Sequence, residues 1–263
     1  MNDATPHPST THRLFAHDRV AAGYASARPF LHPEVFARVG DMTRMPRPVL
    51  RALDVGCGTG MSSWALLDLA REVVGVDVSV PMLLQARRAE RLRYLASTAE
   101  DLPFRRASFD LIVACGSIDW VDRSRFLPRA AELLGSGGWL VPLDFGDTGR
   151  SPEVPGLQRW HEEMFESAFP RPPSPDPLVT GQEAARHGFS APAHHTFEVP
   201  CAFSASRYAD FLMTESNVIA AVEYGERSAE EVQGWLEAQL APLFDGGTRA
   251  VTFAGYVQTL RRL

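Results

Sequence analysis

The chain has 263 residues, 45% of them hydrophobic and 22% charged, with a formal net charge of −6. That length can bury a full core in one large α/β domain, or in one domain with a cap. The acidic balance excludes a basic nucleic-acid footprint, no apolar run nears the roughly 20 residues that span a bilayer, and MNDATPHPSTTHRLF lacks an apolar signal core. A cytoplasmic protein with neither nucleic-acid nor membrane partners is expected.

In chain order, residues 1–12 are polar and contain proline. A helix is expected from about Thr11 to Ala25, broken by Arg28-Pro29, and a second from about Pro33 to Met45. The pattern then alternates. Val49–Val55 reads as a buried strand, Gly60–Ala70 as a helix and Glu72–Val76 as a strand. Val80–Arg91 reads as a helix with Ser79 as its N-cap and Pro81 in its first turn. Leu92–Ala96 and Asp110–Cys115 are strands, Arg123–Leu134 a helix and Gly138–Asp144 a strand. Strands this apolar, alternating with helices, predict a mostly parallel sheet covered on both faces.

After Phe145 the rhythm changes. Glu153–Phe169 reads as a helix carrying Trp160, Met164 and Phe165. PRPPSPDP, residues 170–177, has no regular reading. A short helix over Thr180–His187, a strand over Thr196–Phe203, helices near Ser206–Val222 and Ala229–Leu240, and a last strand over Arg249–Tyr256 complete the chain.

Every one of the 26 basic side chains is arginine. A Walker A loop needs a lysine on the phosphates and a pyridoxal enzyme needs one for its Schiff base, so both classes drop out. Cys57, Cys115 and Cys201 are too scattered for a CxxC pair or a disulfide framework. His194 and His195 are neighbours, and in a strand they point to opposite faces. No metal site is predicted.

The stretch LDVGCGTG, residues 53–60, carries the chemistry. It falls between the first strand and the first helix of the alternating region, at the carboxyl edge where open α/β sheets bind ligands. Gly56, Gly58 and Gly60 permit close backbone approach. The spacing is G-x-G-x-G rather than the dinucleotide G-x-G-x-x-G, and Asp54 precedes it. A carboxylate there repels a pyrophosphate and suits a cation. VVGVD places Asp77 at the end of the second strand, where an acid accepts hydrogen bonds from ribose hydroxyls.

These motifs resemble the class I S-adenosylmethionine (SAM) dependent methyltransferases that act on small molecules. LDVGCGTG and VVGVDVS match the family's first two motifs, and AEDLPF with SFDLIV matches the path from the adenine pocket into the fourth strand. RAAELLGSGGWLVPLDF matches the following helix and fifth strand. YASARP (24–29) and FLMTESNV (211–218) resemble a subset near the trans-aconitate methyltransferases.

The resemblance implies a Rossmann-like class I methyltransferase fold. Its seven-stranded, mostly parallel sheet would have helices on both faces and a helical cap insertion. One SAM-binding domain over 1–263 is expected, with an N-terminal helical segment over 11–45 and a cap over about 146–190. The three glycines would approach the methionine and ribose of SAM. Asp54 would face its ammonium, Asp77 its ribose and Val78 its adenine. Thr98, Ala99 and Glu100 would lie at the adenine amino group, with Thr98 where many members carry Asp. Arg28 would pair with the methionine carboxylate, Tyr24 would close over the cofactor, and Cys115 would lie near the sulfonium.

Asp119 stands where relatives often have His, and reads either as a proton acceptor or ammonium ligand, or as a helix N-terminal acid. His161 reads as a substrate-side residue of the cap or as part of a solvated helix face. The [DN]-P-P-[YF] signature of nucleic-acid amino-methylases is replaced by ACGSIDW. The expected activity is methyl transfer to a small organic molecule of specialised metabolism, releasing S-adenosylhomocysteine, by a monomer or homodimer. The alternatives are a SAM-binding cyclase or lyase of this fold, an NAD-dependent oxidoreductase, or a non-catalytic SAM-binding module.

Overall fold

The computed structural model describes residues 14–171, 176–225 and 227–263. Residues 1–12 and residues 172–175 of the Pro-rich stretch lie outside them. Seven strands form one mixed sheet: β1 (Val49–Val55), β2 (Ala70–Asp77), β3 (Leu92–Ala96), β4 (Phe109–Cys115), β5 (Leu134–Arg150), β6 (Ala193–Phe203) and β7 (Arg249–Arg261). Their order is β3-β2-β1-β4-β5-β7-β6, and the pairings from β3 through β5 are parallel. The order reverses beside β1, which makes the β1/β4 edge the topological switch point.

The chain forms two compact units. One, the glycine-loop unit, contains residues 30–144, 174–196 and 256–263. The other, the aromatic unit, contains residues up to 29, 145–173 and 197–255. The region expected as a cap over about 146–190 is therefore shared out, its first part going to the aromatic unit and its end to the glycine-loop unit.

In the glycine-loop unit, alternation along β1 sorts its side chains. Leu53 and Val55 join a buried cluster with Ile112 and Ala114 of β4 and with Phe126, Leu127 and Ala130 of α5 (Arg123–Leu133). Asp54, on the opposite face, meets Ser62 and Ser63 of α3 (Met61–Ala65). Helices thus lie against both faces. The unit begins with α2 (His32–Thr43). It also holds α4 (Val80–Leu84), whose N-cap Ser79 accepts from the Met82 N–H as expected, and α8 (Gly181–Arg186), closed by a capping box at Thr180 and Glu183.

The aromatic unit begins with α1 (Asp18–Ala27). Leu157–Trp160 (α6), a π-helical turn over His161–Phe165 and Glu166–Ala168 (α7) follow in succession. The unit ends on α9 (Ala205–Leu212), α10 (Ser216–Glu223) and α11 (Ala229–Phe244). Its core is aromatic. Phe203 stacks on Phe253 at 5.9 Å, and Tyr208 on Phe211 at 6.1 Å.

Several expected elements differ in length. The helix after Ser79 stops at Leu84 instead of Arg91. The helix expected over Ser206–Val222 breaks at Met213–Glu215, where the Thr214 hydroxyl turns back onto the Phe211 carbonyl at 2.6 Å. The helix expected from Glu153 begins at Leu157, because the Ser151 hydroxyl takes the Glu153 and Val154 N–H groups into a turn.

Gly75, in the middle of β2, gives a sharp test of this packing. A Cβ there would stand 2.7 Å from Ser63 Oγ and 2.8 Å from the Tyr94 ring. Gly75→Val is expected to destabilise the protein by about 1–3 kcal/mol through overpacking, measured by urea denaturation. Wild-type stability would mean that the Ser63–Tyr94 layer yields at no cost.

Candidate functional site

The site is built on the turn between β1 and α3. Gly56, Gly58 and Gly60 all have left-handed backbones, with φ of 69°, 52° and 73°. The turn is tight. The N–H groups of Gly56 and Cys57 both donate to the Val76 carbonyl of β2, at 2.8 and 3.0 Å, and the Gly60 N–H donates to the Cys57 carbonyl at 2.8 Å. A side chain at Gly56 would strike Ser117 at 2.5 Å, and Ser117 is itself fixed by donating to the Val55 carbonyl at 2.6 Å.

Two acids hold this loop. Asp77, at the end of β2, accepts the Gly58 N–H on one oxygen and the Ser79 N–H on the other, each at 2.8 Å. One carboxylate thereby fixes both the glycine loop and the entry to α4. Asp54 is 0% exposed. Its Oδ2 accepts from the Ser62 and Ser63 hydroxyls at 2.6 and 2.5 Å, while Oδ1 is buried with no hydrogen-bond partner. Burial raises its pKa from the ordinary 3.8 to about 6, against the two serine hydrogen bonds, and the nearby Asp77 charge adds to the rise.

On the expected adenine side the residues are engaged locally. Glu100 accepts the Asp122 N–H at 2.8 Å, just ahead of α5. The Thr98 hydroxyl accepts the Asp101 N–H at 3.2 Å. Ala99 is buried, whereas Val78 is exposed and offers an apolar surface beside Asp77. Past β4, the Cys115 thiol is pushed well above its ordinary range by burial and by Asp54 and Asp144, so it stays protonated. Gly116 has φ 63° and abuts Asp144, whose Oδ1 lies 3.0 Å from where a Cβ would stand. Asp119 is half-buried in the following loop.

Tyr24, Arg28 and His161 belong to the aromatic unit. There the Arg28 guanidinium pairs with Glu215 at 2.9 Å, donates to the Thr214 carbonyl at 2.8 Å, and lies over the Tyr24 and Phe211 rings. The segments YASARP and FLMTESNV thus meet directly. His161 is buried rather than on a solvated face. Its Nε2 is 3.7 Å from Asp147 Oδ2, its Nδ1 is 3.7 Å from Glu166, and its ring packs on Phe165. Sequence reading missed Asp147. The Tyr208 hydroxyl donates to Asp147, and burial raises the pKa of both. A cavity of about 590 Å³ in the aromatic unit, lined by residues such as Val20, Ala27, Met213 and Gln233, contains none of the expected site residues.

Among the described residues no group of three or more His, Cys, Asp or Glu is arranged to hold a metal ion, and no helix is long and apolar enough to cross a membrane.

Known proteins point the same way as this geometry. Residues 53–141, from β1 into β5, match the family model described as a methyltransferase domain. A malonyl-[acyl-carrier protein] O-methyltransferase of Enterobacter lignolyticus is 37% identical over 129 residues, covering 46% of this chain and 51% of that protein. An uncharacterized methyltransferase of Mycobacterium tuberculosis is 33% identical over 119 residues, covering 44% of this chain and 46% of that protein. The chain spans about half the length of the curated relatives it matches. Among solved structures, a type II methyltransferase candidate from Anaeromyxobacter dehalogenans superposes with a TM-score of 0.60 at 22% identity, covering 88% of this chain and 95% of that one. The matched segment is similar to a methyltransferase domain, and the sheet has a Rossmann-like methyltransferase fold.

The buried Asp54 makes a prediction independent of any ligand. Its folded pKa lies above its unfolded value, so the native state binds the proton more tightly. Stability therefore falls as pH rises from about 4 to about 6 and is level above that, a loss of about 3 kcal/mol. Asp54→Asn removes this slope. Denaturant melts of both proteins between pH 4 and pH 8 should show the difference, and parallel pH profiles would mean that Asp54 does not titrate in this range.

Proposed function

We propose that the chain is a SAM-dependent methyltransferase acting on a small organic molecule, in specialised metabolism. The observation that carries this reading is Asp54: a fully buried carboxylate with one unpartnered oxygen, two residues before the first left-handed glycine of the loop. A buried anionic oxygen without a partner is costly, and a ligand cation at the loop offsets that cost. A dinucleotide pyrophosphate would add to it. The α-ammonium of SAM, reaching Asp54 directly or through water, fits this donor set.

When bound, SAM supplies a methyl group already activated on a sulfonium. The protein's task is then positioning, where effective molarity contributes roughly 7–11 kcal/mol. In this proposal the glycine backbones lie along the methionine and ribose, Asp77 takes the ribose hydroxyls, and the exposed Val78 covers the adenine. Cys115 sits near the sulfonium as a neutral thiol. The backbone of Ala99 reads the adenine edge, with the Thr98 and Glu100 side chains shaping the loop through Asp101 and Asp122. Tyr24 and Arg28 enter through the resemblance. The mutual contact of YASARP and FLMTESNV supports treating those two segments as one functional element, which is the basis for the finer likeness to the trans-aconitate methyltransferases.

The curated relatives are named for acceptors as different as a malonyl-acyl-carrier protein and a demethylmenaquinone, so no one acceptor is carried over from them. Asp119, on the loop after β4, is the residue proposed to act on the acceptor, and its replacement by Asn should lower turnover more than cofactor affinity. The buried, aromatic-packed His161 is kept out of that role.

Calorimetric titration with S-adenosylhomocysteine, and separately with NADH, tests the reading. S-adenosylhomocysteine is expected to bind and NADH not. Asp77→Ala should weaken the former at least tenfold, about 1.4 kcal/mol, and affinity should decline below pH about 6 as Asp54 takes up a proton. NADH binding without S-adenosylhomocysteine binding would overturn the assignment, and wild-type affinity in Asp77→Ala would remove Asp77 from the site.

A further inference from the structure

The sheet order puts β3 at one lateral edge of the glycine-loop unit. Its bonding to β2 follows from the register. The Val73 N–H donates to the Arg91 carbonyl at 2.9 Å and the Ser97 N–H to the Asp77 carbonyl at 3.0 Å, with Arg93 and Leu95 opposite Val74 and Val76 between them. In a parallel ladder a residue turns both of its backbone groups to one side, and successive residues alternate. Arg91, Arg93, Leu95 and Ser97 therefore turn theirs toward β2. Tyr94 and Ala96 turn their N–H and C=O groups outward, where no strand of the described residues pairs with them.

This edge is basic in an acidic chain. The stretch RRAERLR, residues 87–93, holds four arginines and one acid, against a net charge of −6 for the whole chain. It is folded onto β3. The Tyr94 hydroxyl donates to the Arg87 carbonyl at 3.0 Å, and the Arg88 guanidinium lies over the Tyr94 ring at 5.7 Å. Arg91 donates to the Ala70 and Arg71 carbonyls, each at 3.3 Å, which brings Arg71 into the group. All five arginines are exposed. Elsewhere exposed arginines meet acids, as Arg51 meets Glu72, Arg125 meets Asp101 and Arg150 meets Glu198. Among the described residues Arg71, Arg87, Arg88, Arg91 and Arg93 have no carboxylate within ion-pair distance. Asp68 shares a hollow with Arg91 without pairing with it, and Glu72 is taken by Arg51.

We propose that the β3 edge docks an acidic, extended segment of another protein, which adds to the sheet as a further strand. Like charge on an edge strand repels a second copy of that edge, while the same charge attracts a strand of opposite sign. In this mode the backbone ladder supplies affinity and the side chains supply selectivity. The Tyr94 and Ala96 backbone groups begin the ladder, and carboxylates of the incoming segment meet Arg88, Arg91 and Arg93. The exposed Leu95, with the exposed Leu84 on α4 packed against β3, offers apolar contact. A polynucleotide or an anionic lipid surface carries phosphates but nothing that matches the outward backbone groups, and the net charge of the chain opposes the approach of either. The inference does not depend on the methyltransferase reading.

The test uses the full chain and a fluorescein-labelled heptapeptide, Glu-Val-Glu-Thr-Glu-Val-Glu, blocked at both ends and titrated by anisotropy at low ionic strength. It is expected to bind at least tenfold more tightly than the same peptide with Gln for each Glu, and to weaken as salt is added. Ala96→Pro removes an outward N–H and no bond to β2, so an edge strand accommodates it. Ala96→Pro and the double variant Arg88→Gln, Arg93→Gln should each weaken the peptide at least fivefold, with the thermal unfolding midpoint of wild type showing that the fold is kept. If Ala96→Pro does not fold, the double variant decides alone. No peptide binding, equal binding of the Gln peptide, or unchanged affinity in the folded variants would overturn the proposal. So would tighter binding of oligothymidylate or of phosphatidylglycerol vesicles, or a dimer in sedimentation that Ala96→Pro dissociates, since each assigns the edge to a different occupant.

Discussion

A carboxylate at zero exposure is the constraint around which the glycine-loop unit is organised. Asp54 gains two hydroxyl hydrogen bonds from consecutive serines, both in the first turn of the helix that the loop feeds. To present Ser62 and Ser63 to the same oxygen, α3 must start immediately after Gly60. That leaves only residues 56–60 to turn the chain, and left-handed glycines at alternate positions make so short a turn possible. Asp77 secures the result from the neighbouring strand by binding the Gly58 N–H. The loop is rigid because two acids on adjacent strands bracket it, and the energetic cost falls on the one carboxylate oxygen that has no partner.

The aromatic unit handles buried polarity differently. Asp147 is satisfied internally by the Tyr208 hydroxyl and the Gly149 N–H, with His161 alongside. Glu215 receives both Arg28 and Arg171. These groups stand within an aromatic core and close on one another, so they read as interior satisfaction of charge. Both units keep some buried polar atoms without partners, Trp160 Nε1, His161 Nε2 and Asn217 Oδ1 among them, so the contrast lies in the acids: Asp147 and Glu215 are bonded, whereas Asp54 keeps one bare oxygen.

Much of this was legible in the residues. β1 and β3 have the expected bounds because continuous apolar runs flanked by clear turn signals leave little choice. The glycine loop and its acids were legible because G-x-G-x-G beside Asp is a local pattern with local consequences. What escaped depends on distant partners. β5 runs from Leu134 to Arg150, though GSGGWLVPLDFGDTG carries enough glycine to suggest breaks. Gly138 is needed there because the Asp110 carbonyl would lie 3.0 Å from a Cβ. His161, ahead of Glu162 and Glu163, read as either a substrate-side residue or part of a solvated face, yet it is buried against Gly149, outside its own helical segment. Tyr256 sits in a strand of ordinary composition, and no local pattern marks its hydroxyl as buried and unpartnered.

The sheet order also explains why a protein with 26 arginines gathers acids at one edge. β3, β2, β1, β4 and β5 run parallel, so their carboxyl ends share a side. Asp77 ends β2, Asp54 lies one residue from the end of β1, Asp119 follows β4, and Asp144 sits in β5 next to the paired Cys115–Leu143 step. Helix N-termini at the same side normally favour anions. Here α3 and α4 are short, and the N–H groups of Gly58 and Ser79 are already taken by Asp77. The edge therefore keeps the geometry of a nucleotide-binding α/β sheet while reversing its charge preference. A ligand with ribose, an ammonium and a sulfonium satisfies both properties at once, whereas a pyrophosphate satisfies only the first.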